Sequence, residues 1–506
     1  MKTNKLLCYY FFVLLLLSSY LIRAAHASDL TNVIRILQVS VGLNVSVQTG
    51  DDANRDSKIS MEDAIYILQV IAGLREETAD EDAWKSNLGY IYLQGTSITY
   101  SGTGISVKGT TATIIAGGDY TVTGTLANGM IIVNTTEKAK LRLSGVNITN
   151  SSGPAIFISN ADKAFITLTE GTVNYLTDGS SYSVEAKAAL FSNDTLEIKG
   201  NGTLYVSGNY KHGIASDDDI IIENGTIIIR KSVKDGIHAN NNVTINGGNL
   251  TITPTSDGIE SEGDIIVNDG TVTVSAGDDG MVAATDLTIN GGTVNVTKSV
   301  EGVESKGDII LNAGTVVIAA TDDGLNAANN ITINGGYLYS NTSSGDAIDS
   351  NGTLNINGGV TVATGGTVPE GGADCDQNVF TITGGTLVAA GGANSTPTST
   401  TSTQPSVLLG SATAGSVVRI NDSSGAEVTD LQSNKSIIRI CCFTSPNLTL
   451  GKTYTVYTGG TISGGTNFYG LYTGATYSGG TVSRTFTTTS VVTSAGGTSG
   501  GGGGRP

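Results

Sequence analysis

Acidic side chains recur at one position of a repeated pattern in the middle of the chain. Each stands directly before a repeated glycine, or before Ala347 in the last copy. The series, spaced by 22 or 23 residues, comprises Asp235, Asp257, Asp279, Glu301, Asp323 and Asp346, with His212 at the equivalent position one period earlier. If the repeats stack, neighbouring carboxylates lie about 5 Å apart and repel each other unless cations neutralise them. Carboxylate oxygens are preferred calcium ligands, so the series predicts calcium sites. The alternative is a solvated acidic edge that keeps the protein soluble.

Further acidic residues accompany this series. Glu260, Glu304 and Asp349 each lie three residues beyond a member of it, and Asp278 and Asp322 directly precede two members. We expect these carboxylates to add ligands to the same metal sites.

Lys306 is the one catalytic candidate, because it lies close to Glu304 in the sequence. A lysine beside calcium is the general base that β-elimination on a uronic acid needs. A salt bridge with the acidic neighbours is the alternative interpretation.

A second pattern with calcium-ligand spacing precedes the repeats. Positions 1, 3, 5, 7, 9 and 12 of a calcium loop fall on Asp52, Asn54, Asp56, Lys58 (through its carbonyl), Ser60 and Asp63. Ser57 stands where such loops usually carry glycine. A helical pattern follows at once, so the segment predicts a calcium loop joined to a helix.

Three tyrosines lie out of phase with the inward-facing valines of the repeat and are predicted to point to solvent. These are Tyr205, Tyr337 and Tyr339. Because the faces of sugars stack on aromatic rings, they are candidate carbohydrate contacts. The alternative is that they are ordinary surface tyrosines.

The repeat itself predicts the fold. Glycines and asparagines recur in phase with each other at intervals of about 22 residues, and short apolar strands alternate with these turns. About 22 residues make a closed coil of three short strands, and stacked coils make an all-β, parallel β-helix. The apolar residues of one column are expected inside the solenoid. Asparagines that recur at a turn can form a side-chain amide ladder along the axis, but turn chemistry alone is the preferred interpretation of this series.

The N-terminus has the features of a secretory signal peptide. Lys2 and Lys5 precede the apolar run of residues 6–17, and Ala25-His26-Ala27 is a small-x-small cleavage pattern. We therefore expect a secreted protein, extracellular or associated with the cell surface. No later segment is apolar enough to span a membrane, and the formal net charge of −18 disfavours nucleic acid as a partner.

Composition divides the chain into several parts. Two similar amphipathic helices are predicted within a glycine-poor region, at residues 32–43 and 63–74, and strands and turns begin at Gly89. Three cysteines remain after the leader, Cys375, Cys441 and Cys442, which allow one disulfide of unassigned pairing. The predicted parts are a signal peptide (1–27), a calcium-loop module (28–75), a linker (76–88), the β-helix domain (89–490) with an exposed Ser/Thr-rich loop (391–405), and a disordered tail (491–506).

The calcium-loop module resembles a known one. Residues 50–74 resemble a dockerin-type repeat, and residues 31–43 resemble the helix of a preceding one. Dockerins are paired calcium-loop–helix modules that attach enzymes to cohesin scaffolds. The resemblance implies a cohesin-like scaffold as a partner of residues 28–75, although the first calcium loop of the pair is missing here.

Residues 89–490 resemble the secreted carbohydrate-binding β-helix family first typed in a cellulolytic clostridium. The matching stretches include residues 118–125 (GDYTVTGT), 146–150 (VNITN), 369–374 (PEGGAD) and 451–457 (GKTYTVY), together with the acid-glycine repeats. The resemblance implies a right-handed parallel β-helix similar in fold to the calcium-dependent family 9 pectate lyases. It also implies calcium ligands at the acid-glycine turns, and binding of cellulose and acidic, pectin-like glycans without cleavage.

These observations favour an extracellular, calcium-dependent polysaccharide-binding protein. One alternative is a calcium-dependent pectate or uronate lyase. A second alternative is a structural surface or adhesion protein.

Overall fold

The computed structural model describes residues 27–40, 59–71, 83–432 and 440–496. The chain divides into two compact units, Met1–Ala83 and Trp84–Pro506. The predicted leader, the calcium-loop residues Asp52, Asn54, Asp56 and Lys58, and the tail beyond residue 496 lie outside the described residues.

The first unit contains two α-helices, Ala27–Ser40 and Met61–Ile71. They pack through a small apolar cluster that includes Val33, Ile36 and Ala64. At the start of the second helix, the Ser60 N–H donates to the Asp63 carboxylate (2.8 Å). Asp63 is fully buried. An acid at the third helical position that accepts from the residue before the helix is a helix cap, so Asp63 stabilises this end of the helix.

Within its described residues, the second unit is a parallel β-solenoid whose regular coils each contribute one short strand to three faces. We number the faces in the order in which the chain visits them. Face 1 comprises Ile105–Lys108, Thr111–Ile114, Met130–Asn134, Ile156–Asn160, Ala188–Ser192, His212–Ser216, Ile237–Ala239, Ile259–Ser261, Met281–Ala283, Val303–Ser305, Leu325–Ala327 and Ile348–Ser350.

Faces 2 and 3 follow in each coil. Face 2 comprises Ala164–Leu168, Leu196–Lys199, Ile220–Ile222, Val243–Ile245, Ile265–Val267, Leu287–Ile289, Ile309–Leu311, Ile331–Ile333, Leu354–Ile356 and Phe380–Ile382. Face 3 comprises Val173–Thr177, Thr203–Ser207, Thr226–Lys231, Asn249–Ile252, Thr271–Ser275, Thr293–Lys298, Thr315–Ala320, Tyr337–Thr342, Val360–Thr364 and Thr386–Gly391.

Less regular elements occupy both ends. A 3₁₀ turn (Ala83–Ser86) and the strands Leu88–Gly95, Ile98–Gly102, Gly118–Leu126 and Ala139–Thr149 begin the solenoid. After the last coil come Ser406–Leu409, Val417–Asp422, Glu427–Gln432, Ile440–Thr444, Thr453–Thr458, Thr461–Ser463, Thr466–Phe468, Leu471–Thr473, Thr476–Ser478, Thr481–Thr487 and Val492–Ala495. Ile440–Thr444 pairs antiparallel with the last face 3 strand. It therefore covers a sheet edge that would otherwise be open to other chains.

The interior confirms the predicted apolar column and the predicted parallel β-helix. Ile237 pairs in register with Ile259, which pairs with Met281, and the register continues to Ile348. All of these side chains are buried. Strict alternation along each strand therefore places the next residue on the outer surface.

The glycine after each acidic turn residue is required by close packing. A Cβ on Gly280 would lie 2.3 Å from the carbonyl oxygen of Gly302 and 2.8 Å from Val296. Gly292, in the turn before the face 3 strand of the same coil, is needed for a different reason, because its φ is +71°. The repeated glycines thus let successive coils approach closely and hold the preceding acid at a fixed place.

The segment 391–405 is not the exposed loop that its composition predicts. It lacks regular strands, but Ser395 and Ser402 are buried. The Ser402 hydroxyl accepts from the backbone N–H of Ile382 (3.0 Å). Its hydroxyl groups satisfy backbone donors at the edge of the last coil, a role that Ser/Thr composition alone does not reveal. Near this segment, Cys375 is a buried free thiol, and Cys442 is buried as well.

In the part of the chain that the structure describes, no helix is long and apolar enough to cross a membrane.

The recurring asparagines form an amide ladder. Asn290 donates through its side-chain nitrogen to the side-chain oxygen of Asn268 (2.8 Å) and accepts from Asn312 (2.8 Å). The same bond joins Asn268 to Asn246 and Asn357 to Asn334. The asparagines therefore contribute bonds between coils as well as turn geometry.

We predict that Asn290→Ala lowers the stability of the solenoid by about 1–2 kcal/mol, because it removes two side-chain hydrogen bonds. Asn295→Ala is the control, since Asn295 faces outward on a face 3 strand of the same coil and has no side-chain hydrogen bond among the described residues. Thermal melting of both variants measures the effect. Equal midpoints for the two would show that the ladder contributes nothing.

Candidate functional site

Two rows of side chains meet along the edge of face 1. The turn row is the acidic series that precedes each face 1 strand. The outer row is the central residue of each strand, which is half-buried between two buried neighbours. Strand register aligns the outer row as His238, Glu260, Val282, Glu304, Asn326 and Asp349.

The two rows form three groups of three carboxylates. Each group combines turn-row acids from two successive coils with one outer-row acid, and the ligand oxygens within a group lie within 4.8 Å of one another. The groups are Asp235, Asp257 and Glu260; Asp279, Glu301 and Glu304; and Asp323, Asp346 and Asp349. Carboxylates at this separation are suited to share a cation.

The coils between these groups lack the outer-row acid, because Val282 and Asn326 occupy its place. The exposed Asp278 lies with Asp257 and Asp279 in an overlapping cluster. Asp322, in contrast, joins no such cluster among the described residues.

Backbone hydrogen bonds fix the turn-row carboxylates. The Asp279 N–H donates to Asp257 Oδ1 (3.0 Å), and the Glu301 N–H donates to Asp279 Oδ1 (2.9 Å). One oxygen of each acid is thereby held while the other is left for a ligand. At Glu301, Oε2 is buried and has no hydrogen-bond partner within the described residues. A buried carboxylate oxygen of this kind needs a cation or a proton.

The electrostatics of the middle group lead to the same conclusion. Burial raises the pKa of Glu301 to about 8, and the charges of Glu304 and Asp279 add to the effect. Burial also raises the pKa of Asp279 to about 6. Without a cation, Glu301 holds a proton at neutral pH, because burial and ionised neighbours both disfavour its charged form.

The last group has additional acidic neighbours that sequence reasoning missed. Burial raises the pKa of Asp349 to about 7, and the charges of Asp374, Asp376 and Glu370 contribute. Asp374 forms an isolated bridge with Asp349. The segment that supplies them departs from the repeat, so periodicity does not place it, although its three acids within seven residues are a visible signal.

The first group contains two imidazoles. His212 Nδ1 lies 2.9 Å from Asp235 Oδ2, and His238 Nδ1 lies 3.4 Å from the same oxygen. His238 Nδ1 is also 2.9 Å from Glu260 Oε2. The sequence places His212 in the acidic series but gives no role to His238, whose position in the outer row depends on strand register.

Lys306 forms an ion pair with Glu304. Its hydrogen bond to Glu304 raises the pKa of its ammonium group. A lysine held in its protonated form cannot accept a proton, so this contact favours the salt bridge over a general base.

The predicted carbohydrate tyrosines differ in how much of their ring surface is free. The Tyr339 ring stacks on Tyr469, with centroids 3.8 Å apart. Tyr205 stacks on Tyr175 at 5.1 Å, and the Arg230 guanidinium lies 4.1 Å from the Tyr205 centroid. Packing partners therefore cover much of the surface of both rings.

Tyr337 is the most open of the three, with half of its surface exposed, although Phe468 lies 5.5 Å from its ring. Sequence reasoning missed a second exposed aromatic site, a pair of tyrosines. Tyr90 and Tyr92 are 44% and 41% exposed on one side of the first strand, with rings 6.5 Å apart and 12° from parallel. Their i, i+2 spacing on a strand is the signal that predicts a shared face.

A separate acidic row lies at the turn between faces 1 and 2. The Asp286 N–H donates to Asp264 Oδ1 (3.1 Å), and the Asp308 N–H donates to Asp286 Oδ1 (2.8 Å). These acids belong to no cluster of potential metal ligands among the described residues. Side chains also donate to two of them, Thr285 to Asp264 and Asn330 to Asp308, so a phase-locked acid can serve hydrogen bonds between coils without a metal.

Comparison with known proteins identifies relatives. The family described as carbohydrate-binding domain-containing protein matches residues 108–343 and 297–437. A carbohydrate-binding domain-containing protein of Acetivibrio thermocellus is 39% identical over 127 residues, which are 24% of this chain and 44% of that relative. The matched region thus spans less than half of the relative.

Among solved structures, a polysaccharide lyase-like protein from C. thermocellum, a gadolinium derivative, is 31% identical with a TM-score of 0.40. The aligned region covers 49% of this chain and 99% of the chain in that structure. Because the family match extends over more than half of the 506 residues, this chain belongs to the carbohydrate-binding domain-containing protein family.

Proposed function

We propose that this protein binds polysaccharides outside the cell, and that calcium held by the carboxylate groups of face 1 supports the binding. Membership of a carbohydrate-binding family supports the polysaccharide. The observation that carries the calcium proposal is the middle group, where three carboxylates converge and Glu301 Oε2 is buried without a partner. Its ligands would be Asp279, Glu301 and Glu304. In the last group they would be Asp323, Asp346 and Asp349.

Calcium also explains how an acidic protein would hold an acidic glycan. A formal net charge of −18 repels a polyuronate over the whole surface. Calcium takes six to eight oxygen ligands, and three carboxylates at a solvent-facing edge leave coordination positions open. A sugar carboxylate would occupy such a position, so the ion would bridge protein and glycan.

Neutral glycans such as cellulose need a different surface. The proposal places them on the exposed rings of Tyr90 and Tyr92, with Tyr337 as a further contact. Sugar C–H groups pack on the negative faces of aromatic rings, and this attraction does not require an ion.

The extracellular location rests on the leader pattern of Lys2, Lys5 and the apolar run of residues 6–17. A cohesin-like partner for residues 28–75 stays a prediction. It first requires that the loop binds calcium, and a calcium titration of an isolated fragment and of its Asp52→Ala variant would test this.

Calcium should stabilise the protein most at higher pH. The pKa of Glu301 is raised from 4.5 to about 8, so the folded metal-free protein binds protons more tightly than the unfolded chain. The stability that this tighter proton binding contributes is therefore lost as the pH rises from 4.5 to about 8. With chelator, we expect the melting temperature to be lower at about pH 8 than at about pH 5. Calcium should remove the difference.

Glu301→Gln should weaken this pH dependence, because an amide does not ionise. Glu262→Gln, at an exposed acid of the same face, should leave it unchanged. A pH profile that is the same with chelator and with calcium would contradict the assignment.

Binding to polygalacturonate should require both calcium and the face 1 acids. We expect the triple variant Asp257→Asn/Asp279→Asn/Glu301→Gln to bind at least about tenfold more weakly, the cost of about 1.4 kcal/mol of bridging. The matched control is Asp264→Asn/Asp286→Asn/Asp308→Asn, which removes the same charge from the same coils at the turn between faces 1 and 2. The control should bind equally well or better, because only repulsion is lost.

Affinity electrophoresis with calcium and with chelator would measure these effects. Equal loss in both triple variants would contradict a specific site. Appearance of ultraviolet-absorbing unsaturated ends that depend on Lys306 would favour the lyase. Failure to bind either glycan with calcium present would favour the structural alternative.

Binding to cellulose should depend on Tyr90 and Tyr92 and persist in chelator. Tyr90→Ala/Tyr92→Ala should reduce the bound fraction in a pull-down with insoluble cellulose severalfold. Tyr339→Ala should not, since Tyr469 covers that ring. If Tyr339→Ala reduced binding and Tyr90→Ala/Tyr92→Ala did not, the cellulose-binding surface would lie on face 3 instead.

A further inference from the structure

The first carboxylate group differs from the others in containing nitrogen ligands. The chain has three histidines, and two of them, His212 and His238, meet here with ring centroids 4.4 Å apart. Both turn Nδ1 toward Asp235 Oδ2. In a chain so poor in histidine, this convergence on one oxygen calls for a chemical explanation.

Hydrogen bonding explains the place of His238 Nδ1, which bonds to Glu260 Oε2 (2.9 Å), but not that of His212. His212 Nδ1 and Asp235 Oδ2 are 2.9 Å apart, yet they lack the alignment of a hydrogen bond, and each is buried without a hydrogen-bond partner among the described residues. His212 is only 4% exposed and Asp235 only 1%. Two buried polar atoms that face each other without bonding are what remains when both point at a common third atom.

The spacing of the donors fits a metal ion. The separations are 2.9 Å from His212 to Asp235, 3.4 Å from His238 to Asp235, and 2.9 Å from His238 to Glu260. Ligands bonded at about 2.0–2.1 Å in tetrahedral to octahedral geometry lie about 2.9–3.4 Å from one another. Three donors, two nitrogens and one oxygen, from His212, His238 and Asp235, therefore lie within 4.8 Å of one another, with Glu260 beside His238.

A neighbouring bond sets the correct tautomer of His238. Asn240 donates through Nδ2 to Asp217 Oδ1 (3.1 Å), so its Oδ1 faces His238 Nε2 at 3.3 Å. Nε2 must then carry a proton, and Nδ1, which lies at hydrogen-bond distance from Glu260 Oε2 (2.9 Å), is the nitrogen that a metal would take. A second-shell acceptor that fixes the protonated nitrogen of a histidine is the usual companion of a metal-binding imidazole.

We propose that His212, Asp235 and His238 form a site for a borderline transition metal such as zinc. Imidazole nitrogen with carboxylate oxygen suits zinc, whereas calcium selects oxygen alone. The three ligands come from two successive coils, so the ion ties these coils together. The site is separate from the middle and last carboxylate groups, which are proposed to bind calcium.

Cobalt(II) absorption of the untagged, full-length protein tests the proposal, because a histidine purification tag would itself bind the ion. After chelation and dialysis, we expect a single cobalt ion per chain with visible d–d bands, displaced by zinc but not by excess calcium. His212→Gln and His238→Gln should each abolish the bands. Asn240→Ala should weaken binding by about 10- to 100-fold, because it frees the tautomer without removing a ligand.

The controls separate this site from the calcium sites and from misfolding. Asp279→Asn/Glu301→Gln should lose calcium and keep the cobalt bands. Melting in chelator, where no metal contributes, checks that the histidine variants are folded. Bands that survive both histidine substitutions, bands that calcium displaces, or the absence of any bands in the unmodified protein would each overturn the proposal.

Discussion

Strand register between successive coils is the constraint on which the rest of this structure depends. From Ile237 to Ile348, each face 1 strand pairs with the next without slipping. Every position of the repeat therefore becomes a column along the axis, and a residue type that recurs at one position is brought close to its own copies. The register is held by a buried apolar interior and by glycines that admit no side chain, such as Gly280.

Columns of like residues have opposite consequences for amides and carboxylates. An amide is both donor and acceptor, so Asn268, Asn290 and Asn312 bond one to the next. A carboxylate only accepts, and a stack of them is unfavourable unless something donates. The turn row uses backbone N–H groups for one oxygen, as where the Glu301 N–H donates to Asp279. The second oxygen is left for a ligand, which would be calcium under the proposed function.

The sequence predicts the columns well and their lateral contacts poorly. The apolar interior, the asparagine ladder and the turn-row acids follow from a period that is visible in the residues themselves. The contacts of Tyr339 do not, because its partner Tyr469 comes from a turn about 130 residues away in a region without the period. The same applies to Asp374 beside Asp349. Periodicity fixes position along and around the solenoid, whereas the neighbours supplied by irregular segments depend on tertiary packing.

The outer row decides what each part of the edge can bind, since the turn row alone is nearly uniform. Val282 and Asn326 interrupt it, so the groups that combine both rows form only at every second coil. At the start of the row, His238 introduces a nitrogen beside Asp235 and Glu260, so the donors there are nitrogen and oxygen instead of oxygen alone. A solenoid can thus vary its ligand chemistry coil by coil without altering its backbone, because each outer-row residue is exchanged on a scaffold whose register is fixed from inside.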